Sequence, residues 1–312
     1  MRAVWQERLI SAWRPPIGCV TPNRRERGVR FASCRVNGRR FAGLVDGDVV
    51  RPLRDVLELG SGTPAEILSD PRLTDETVPL ASIELLPVIP HPGKIVCLGL
   101  NYQAHVEEGV YDPPEYPVLF SKFSETLVGA GAPIVLPPES SAPDYEAELA
   151  FVIGHRVRRA SGAEALNAVA GYTVANDISM RDYQYRTHQW LPGKNWTNST
   201  PLGPYLVTPD EVGDPHALDI RLELNGRELQ SANTRLFIFD IPTVIATISE
   251  FIPLSPGDVV LTGTPSGVGY RREPKVLLQN GDRIVVEIER VGRLENPISA
   301  EQVGAPRPAR RG

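Results

Sequence analysis

Thirty prolines are spread through the 312 residues, with 27 glycines among them. A proline locks φ and lacks a backbone donor, so it ends helices and is kept to the edges of sheets. At about twice the usual proline usage, a long-helix or coiled-coil architecture is excluded, and the chain must fold as short elements joined by many turns. Hydrophobic residues make up 41% and charged residues 23%, which supports an ordinary core and excludes wholesale disorder. The length suits two domains or one large β-rich one.

The formal net charge is −5. Residues 1–28 and the tail after Val303 carry nine arginines and two glutamates, so residues 29–303 hold 24 basic and 36 acidic residues, a net of −12. An acidic body argues against a nucleic-acid partner. Trp5, Leu9 and Trp13 share a helical stripe, but the basic ends read as a disordered leader and a disordered tail. The leader has charges where a signal peptide has its apolar core, and no run of 18 apolar residues exists, so no membrane association is expected. Cys19, Cys34 and Cys97 form no CxxC pair. A disulfide framework is therefore not expected, and a reducing cytoplasm is the default.

VRFASCRV, RRFAGLV and DVVRPL, linked by Asn37-Gly38 and Asp46-Gly47, predict a small meander. LRDVLEL and PAEILSD predict short helices up to about residue 70, and a proline-punctuated connector follows. A second unit starts with the strand KIVCLGL at Lys94 and runs through PVLFSKF, PIVLP, EAELAFVIG and GYTVANDIS. The hairpin DIRLELNGRELQ, then DVVLTGTP and KVLLQNGDRIVVEIERVG, continue it. AEALNAVA predicts a helix with a Ser161–Glu164 capping box and Gly171 past its end. PTVIATISEF predicts a helix that opens on Pro242. The expected class is α+β, rich in mostly antiparallel strands. The expected organisation is a leader (1–28), a small N-terminal domain (29–90), a catalytic domain (91–300) and a tail (301–312).

Within Asp144-Tyr145-Glu146-Ala147-Glu148, side chains on a strand alternate, so Glu146 and Glu148 share a face. The apolar run Leu149–Ile153 marks that strand as buried. Two carboxylates there repel each other and lose hydration, and a divalent cation relieves both penalties. An ordinary solvent-facing pair fits the same spacing. Asp177, at the polar end of GYTVANDIS, adds a third acid, although Asn-Asp also suits a turn. An all-oxygen set favours Mg²⁺ or Mn²⁺, with Ca²⁺ as a further choice. Lys194, Arg181 and Lys122 are candidate cations for an anionic substrate.

GYTVANDISMRDYQ, PLGPYLVTPDE, LNGRELQ and PGDVVLTGTPSGVG, together with the E-x-E strand, resemble the fumarylacetoacetate hydrolase family over roughly residues 94–297. Residues 29–90 resemble the small N-terminal domain of many bacterial members. The resemblance implies a mixed-sheet β-roll, usually a homodimer. It implies a Mg²⁺- or Mn²⁺-dependent enzyme acting on small 2-oxo or 2,4-dioxo acids. Its metal ligands fall on Glu146, Glu148 and Asp177, its substrate-binding residues on Arg181, Gln184 and Thr264, and its active-site lysine on Lys194. Asn101–Glu108 resembles the lid helix of the acylpyruvases.

Local chemistry agrees with a lid helix. Asn101 can cap it and Gly109 can end it, and His105 and Glu108 then share a face that excludes Glu107. A glutamate beside a histidine fixes its tautomer and raises its basicity. His91, His155 and His216 lie in turn-like contexts, whereas His188 stays open as an alternative. Thr197 stands where many members carry Asp in Lys-x-Phe-Asp, which resembles the acylpyruvase and oxaloacetate decarboxylase branch. The expected reaction is hydrolysis of an acylpyruvate, such as fumarylpyruvate, through a pyruvate enolate held on the metal. Decarboxylation of oxaloacetate and isomerisation of a 2-hydroxydienoate diacid, as in a 2-hydroxyhepta-2,4-diene-1,7-dioate or 5-carboxymethyl-2-hydroxymuconate isomerase, use the same enolate and are the alternatives. An inactive metal-binding homologue is the non-enzymatic reading. There is no G-x-S-x-G elbow and no Walker loop, and Gly60–Ala65 matches G-x-G-x-x-A outside the strand-to-helix context that a dinucleotide site needs.

Overall fold

The computed structural model describes residues 29–63, 65–109 and 112–302. The leader and residues 303–312 of the tail lie outside the described residues. The chain opens as an antiparallel meander of β1 (Arg30–Val36), β2 (Arg39–Asp46) and β3 (Val49–Pro52). Asn37 and Gly38 turn its first corner at φ of 50° and 79°, the left-handed pair that matches a two-residue turn to strand twist.

The helix expected over LRDVLEL is absent. The Leu53 N–H donates to Ala42 O, the Ala42 N–H to Val56 O, and the Arg54 N–H to Arg72 O. Those backbone groups bind neighbouring segments rather than their own next turn, and Asp55 adopts φ 61°, outside the helical range. PAEILSD does supply a helix, α1 (Ala65–Ser69). The connector carries β4 (Val78–Pro79) and β5 (Glu84–Leu85).

The second unit begins with β6 (Ile95–Gly99), α2 (Gln103–Gly109) and β7 (Val118–Lys122). It continues through β8 (Leu127–Val128), β9 (Ile134–Leu136), β10 (Pro143–Asp144) and β11 (Ala147–Ile153). Next come α3 (Gly162–Asn167), β12 (Val169–Asn176), β13 (Ser179–Met180), α4 (Arg181–Gln184) and α5 (Leu191–Lys194). Then follow β14 (Thr200–Val207), α6 (Pro209–Val212), β15 (Asp219–Leu224), β16 (Arg227–Asn233) and α7 (Ile241–Phe251). The chain closes with β17 (Val259–Leu261), β18 (Arg283–Ile288) and β19 (Gly292–Ala300).

The large sheet runs β4-β3-β2-β1-β14-β12-β11-β17-β6-β7, with β5 joined to β1 and β8 to β14. A second sheet runs β16-β15-β18-β19-β9. Parallel pairs (β17 with β6, β8 with β14, β9 with β19) sit among antiparallel ones. The result is the strand-rich, mixed-sheet α+β roll expected from the sequence. The meander is continuous with the larger sheet, because Arg30 pairs with Val207 and Phe31 with Leu206.

Two helical details differ from expectation. Ser161 occupies the N-cap of α3, but its side chain makes no capping bond, so the capping box does not form. That helix stops at Asn167, and Gly171 belongs to β12 instead. A Cβ on Gly171 would stand 2.6 Å from Val207 O, so close strand approach explains that glycine. At α7, Asp240 Oδ1 accepts the Thr243 N–H at 2.9 Å and a proline lies in the first turn.

β11 obeys the period-two rule. Leu149, Phe151 and Ile153 enter the core between the two sheets, while Ala150 and Val152 enter a second core on the opposite face. Both faces are covered, so Glu148, on the Ala150 face, is fully buried. Cys34 and Cys97 are buried and free. No helix among the described residues is long and apolar enough to cross a membrane.

Candidate active site

Antiparallel pairing brings the three acids together. Ala147 opposes Asn176 at the ends of β11 and β12, so Glu146 and Asp177 lie side by side just outside the ladder. The Asp177 N–H donates to Glu146 O at 2.9 Å, and the Asn176 side chain takes the Glu146 N–H at 3.1 Å. Glu146, Glu148 and Asp177 present carboxylate oxygens that all lie within 4.8 Å of one another, and all three residues are buried.

The surroundings treat the three unequally. Burial works to raise the Glu146 pKa, but Lys194, Arg181 and His105 outweigh it and hold Glu146 below the ordinary carboxylate range. Glu148 goes the other way. Burial, then the charges of Asp177 and Glu146, push its pKa well above the usual value. Its Oε2 accepts the Gly263 N–H at 2.6 Å, whereas its Oε1 is buried with no hydrogen-bond partner. An orphaned carboxylate oxygen facing two further carboxylates is what a hard divalent cation relieves, and the all-oxygen donor set suits Mg²⁺ or Mn²⁺.

All three candidate cations converge here. Lys194, at the end of α5, reaches Glu146 Oε2 at 2.6 Å and Asp177 Oδ2 at 2.9 Å. Burial lowers the Lys194 pKa, but Asp177 and Glu146 more than compensate, so the ammonium stays charged. Lys122, at the end of β7, reaches Asp177 Oδ1 at 2.6 Å and also donates to the Lys194 carbonyl oxygen. Arg181, opening α4, holds Glu146 Oε1 at 2.7 Å and Gln184 Oε1 at 2.8 Å through one terminal nitrogen. Its Nε donates to Asp144 Oδ2 at 2.8 Å, and its other terminal nitrogen is buried without a partner. Gly193 permits the close packing of α5 on α4, because a Cβ there would meet Gln184 Cβ at 2.4 Å.

His105, on α2, faces a pocket beside the cluster. His105 Nδ1 lies 3.3 Å from Glu108 Oε2, and Glu108 Oε1 accepts the Gly267 N–H at 3.0 Å. Glu107 points elsewhere and binds Gln103 at 2.9 Å. Asn101 is not a cap. Its side chain donates to Thr262 O and Phe239 O and accepts the Phe239 N–H, which fastens the segment before α2 to two other segments. His105, Glu146, Arg181, Gln184, Lys194 and Thr264 line one pocket. His188 is exposed and does not line it.

Asp144, Gln230 and an aromatic wall also surround the cluster, though no sequence motif above includes them in the site. Asp144 lies two positions before Glu146 and so extends the same alternation, a signal that was available. It anchors Arg181 and accepts the Gly269 and Tyr270 N–H groups at 2.7 and 3.1 Å. Trp190 and Phe120 pack edge-to-face, with centroids 5.6 Å apart, and Lys194 Nζ lies 5.0 Å from the Phe120 ring centre. Four acids (Asp144, Glu146, Glu148, Asp177) against three bases (Lys122, Arg181, Lys194) give a formal −1. A dication would reverse it to +1, a field that would attract an anion.

The model of the family "fumarylacetoacetate (FAA) hydrolase C-terminal" matches residues 94–299. The chain belongs to the fumarylacetoacetate hydrolase family. A second family model, "Rv2993c-like, N-terminal", matches residues 27–87. The chain is 42% identical over 248 residues to a mitochondrial oxaloacetate tautomerase, fahd2, of Xenopus laevis, covering 79% of this chain and 78% of that one. It is 44% identical over 223 residues to the human mitochondrial oxaloacetate tautomerase FAHD2A, covering 71% of each. Among solved structures, a 2-hydroxyhepta-2,4-diene-1,7-dioate isomerase from Mycobacterium marinum superposes with a TM-score of 0.75 at 32% identity, covering 88% of this chain and 99% of that one. A 5-carboxymethyl-2-hydroxymuconate delta-isomerase from Mycobacterium smegmatis superposes with a TM-score of 0.75 at 33% identity, covering 87% and 100%.

Proposed function

We propose that this family member is a Mg²⁺- or Mn²⁺-dependent enzyme for keto–enol and related proton-transfer chemistry on a 2-oxo diacid of the oxaloacetate type. The observation that carries the reading is the buried Glu146–Glu148–Asp177 cluster, with its orphaned Glu148 oxygen, which reaches through Glu146 the pocket lined by Lys194, Arg181 and His105. Relatives named as oxaloacetate tautomerases and diacid isomerases support this reaction class. They lend no specific support to hydrolysis of an acylpyruvate, the first expectation from the sequence.

Glu146, Glu148 and Asp177 would hold the ion, which when bound supplies Lewis-acid stabilisation of charge on the substrate's 2-oxo oxygen. Arg181 offers its unpartnered nitrogen, and Gln184 its amide, to the substrate carboxylate. Lys194 places a fixed positive charge beside the reacting oxygens. Glu108 accepts from His105 Nδ1–H, so Nε2 is the basic nitrogen that can take a proton from the carbon next to the carbonyl and return it. Closure of α2 over the pocket would shield the enolate from water. Loss of CO₂ from the keto acid, or attack by water on an acyl carbonyl, would instead leave a pyruvate enolate as the product anion, which the same groups would stabilise. A cytoplasmic homodimer with its domain boundary near residue 90 belongs to the same proposal.

The test offers oxaloacetate, a 2-hydroxydienoate diacid and an acylpyruvate to purified protein with Mg²⁺ or Mn²⁺. Ultraviolet absorbance reads the enol, and a coupled assay reads pyruvate. Oxaloacetate should ketonise fastest, and Glu148→Gln should lose every activity. Full turnover in that variant refutes the metal assignment. Mn²⁺ binding with no turnover of any oxo acid would favour the inactive homologue.

A further inference from the structure

Gln230 lies on β16, in the second sheet, and is 1% exposed. Its amide reaches across to the large sheet. The Ala147 N–H donates to Gln230 Oε1 at 2.9 Å. Gln230 Nε2 donates to Thr264 Oγ1 at 2.8 Å and to Pro265 O at 2.9 Å. The orientation of this amide is forced, because a backbone N–H only donates and a backbone carbonyl only accepts. Flipping it would set donor against donor at Ala147 and acceptor against acceptor at Pro265.

That orientation has a chemical consequence at Thr264. Its oxygen already receives a proton from Gln230, so its own proton must point elsewhere. Among the described residues no protein acceptor takes it, and Thr264 lines the pocket with Glu146, Arg181 and Lys194. We infer that Gln230 is a positioning residue that fixes the Thr264 hydroxyl as a donor aimed at an oxygen of the bound oxo acid. The same amide holds Ala147, the residue between Glu146 and Glu148, so one side chain keeps the carboxylate strand and the Thr264 loop in a common register. This inference rests on the functional reading above, since an anionic oxygen is what a fixed donor favours.

The test uses oxalate, a dianion shaped like the enolate of pyruvate, titrated by calorimetry into protein saturated with Mn²⁺. Gln230→Glu is isosteric and keeps the acceptor for Ala147. Its carboxylate can only accept, so the Thr264 proton turns away from the pocket. Gln230→Met has similar length without donor or charge, and it carries the test if a buried carboxylate unfolds the chain. Each variant, measured with Mn²⁺ raised until that variant is saturated, should bind oxalate roughly tenfold or more weakly, the loss of a hydrogen bond to a charged group. Thr264→Val should lose as much, Thr264→Ser should retain affinity, and adding Gln230→Met to Thr264→Val should cost little more. Wild-type oxalate affinity in the Gln230 variants, or fully additive losses, overturns the inference. If the unmodified protein binds Mn²⁺ but not oxalate, the functional reading fails first, and that outcome involves no variant.

Discussion

Lys194 Nζ stands 2.6 Å from Glu146 Oε2, with both side chains almost wholly buried. The ammonium also serves Asp177, so one side chain balances two of the three clustered carboxylates. Removing it leaves Glu146 with Arg181 alone and Asp177 with Lys122 alone. Lys194→Met should destabilise the metal-free protein by about 3–5 kcal/mol, the cost of breaking a buried pair. Mn²⁺ should then raise the melting temperature more in the variant than in the wild type, because the ion replaces the missing charge. Turnover should fall on the order of 100-fold or more even with the metal bound. Equal Mn²⁺ shifts in the two proteins would count against the shared site.

Glu108 bridges His105 and the Gly267 backbone. In Glu108→Gln, the amide oxygen can keep the Gly267 N–H, which leaves the amide N–H facing His105 Nδ1. The imidazole must then carry its proton on Nε2 and can no longer act as a base there. We expect kcat to drop on the order of 100-fold with oxalate affinity retained. A variant that keeps its kcat rules out the dyad. Stopped-flow ketonisation measures the first quantity and calorimetry the second.

Gly99 lets Trp190 lie against β6. A Cβ at Gly99 would come within 2.3 Å of the indole ring, far inside contact distance. Gly99→Ala must therefore displace Trp190 from its edge-on seat against Phe120. Overpacking of this kind costs about 1–3 kcal/mol, and Lys194 beside Phe120 should lose alignment with it. Urea unfolding and a shifted tryptophan emission check both, and an unchanged emission would contradict the displacement.

Glu84 pairs with Arg35 on the outer edge of the meander. The Arg35 hydrogen bond outweighs partial burial and lowers the Glu84 pKa below its ordinary value of 4.5. The unfolded chain therefore binds a proton that the folded chain resists. The stabilisation is present above pH 4.5 and vanishes as pH falls through the lowered folded value. Exposure limits it to about 1 kcal/mol at most. Glu84→Gln should narrow the stability difference between pH 6 and pH 3 by roughly that amount, with less effect in high salt. A difference unaffected by salt would exclude an exposed ion pair as its source.

The sequence alone determined the strand-rich class, the turns and the alternation in β11. Proline spacing, Asn37-Gly38 and period-two patterning are local constraints that act before any tertiary contact forms. Residue chemistry also marked Glu146, Glu148 and Asp177 as a candidate cation site, whereas the roles of Arg181, Gln184, Thr264 and Lys194 came through the family resemblance and Asp144 was singled out by neither. Local propensity misled at Leu53–Leu59, where pairing with β2 took the backbone groups that a helix needs. It misled again at Gly171, which serves strand approach and not a helix end. Only the tertiary structure decided that Lys122, Lys194 and Arg181 converge on one cluster, that His105 rather than His188 faces it, and that Gln230 joins Ala147 to Thr264. Those partners are separated by 17 to 83 residues in the hydrogen bonds that matter most. No local pattern encodes such contacts; they exist because both faces of β11 are buried, where an unpaired polar group is costly.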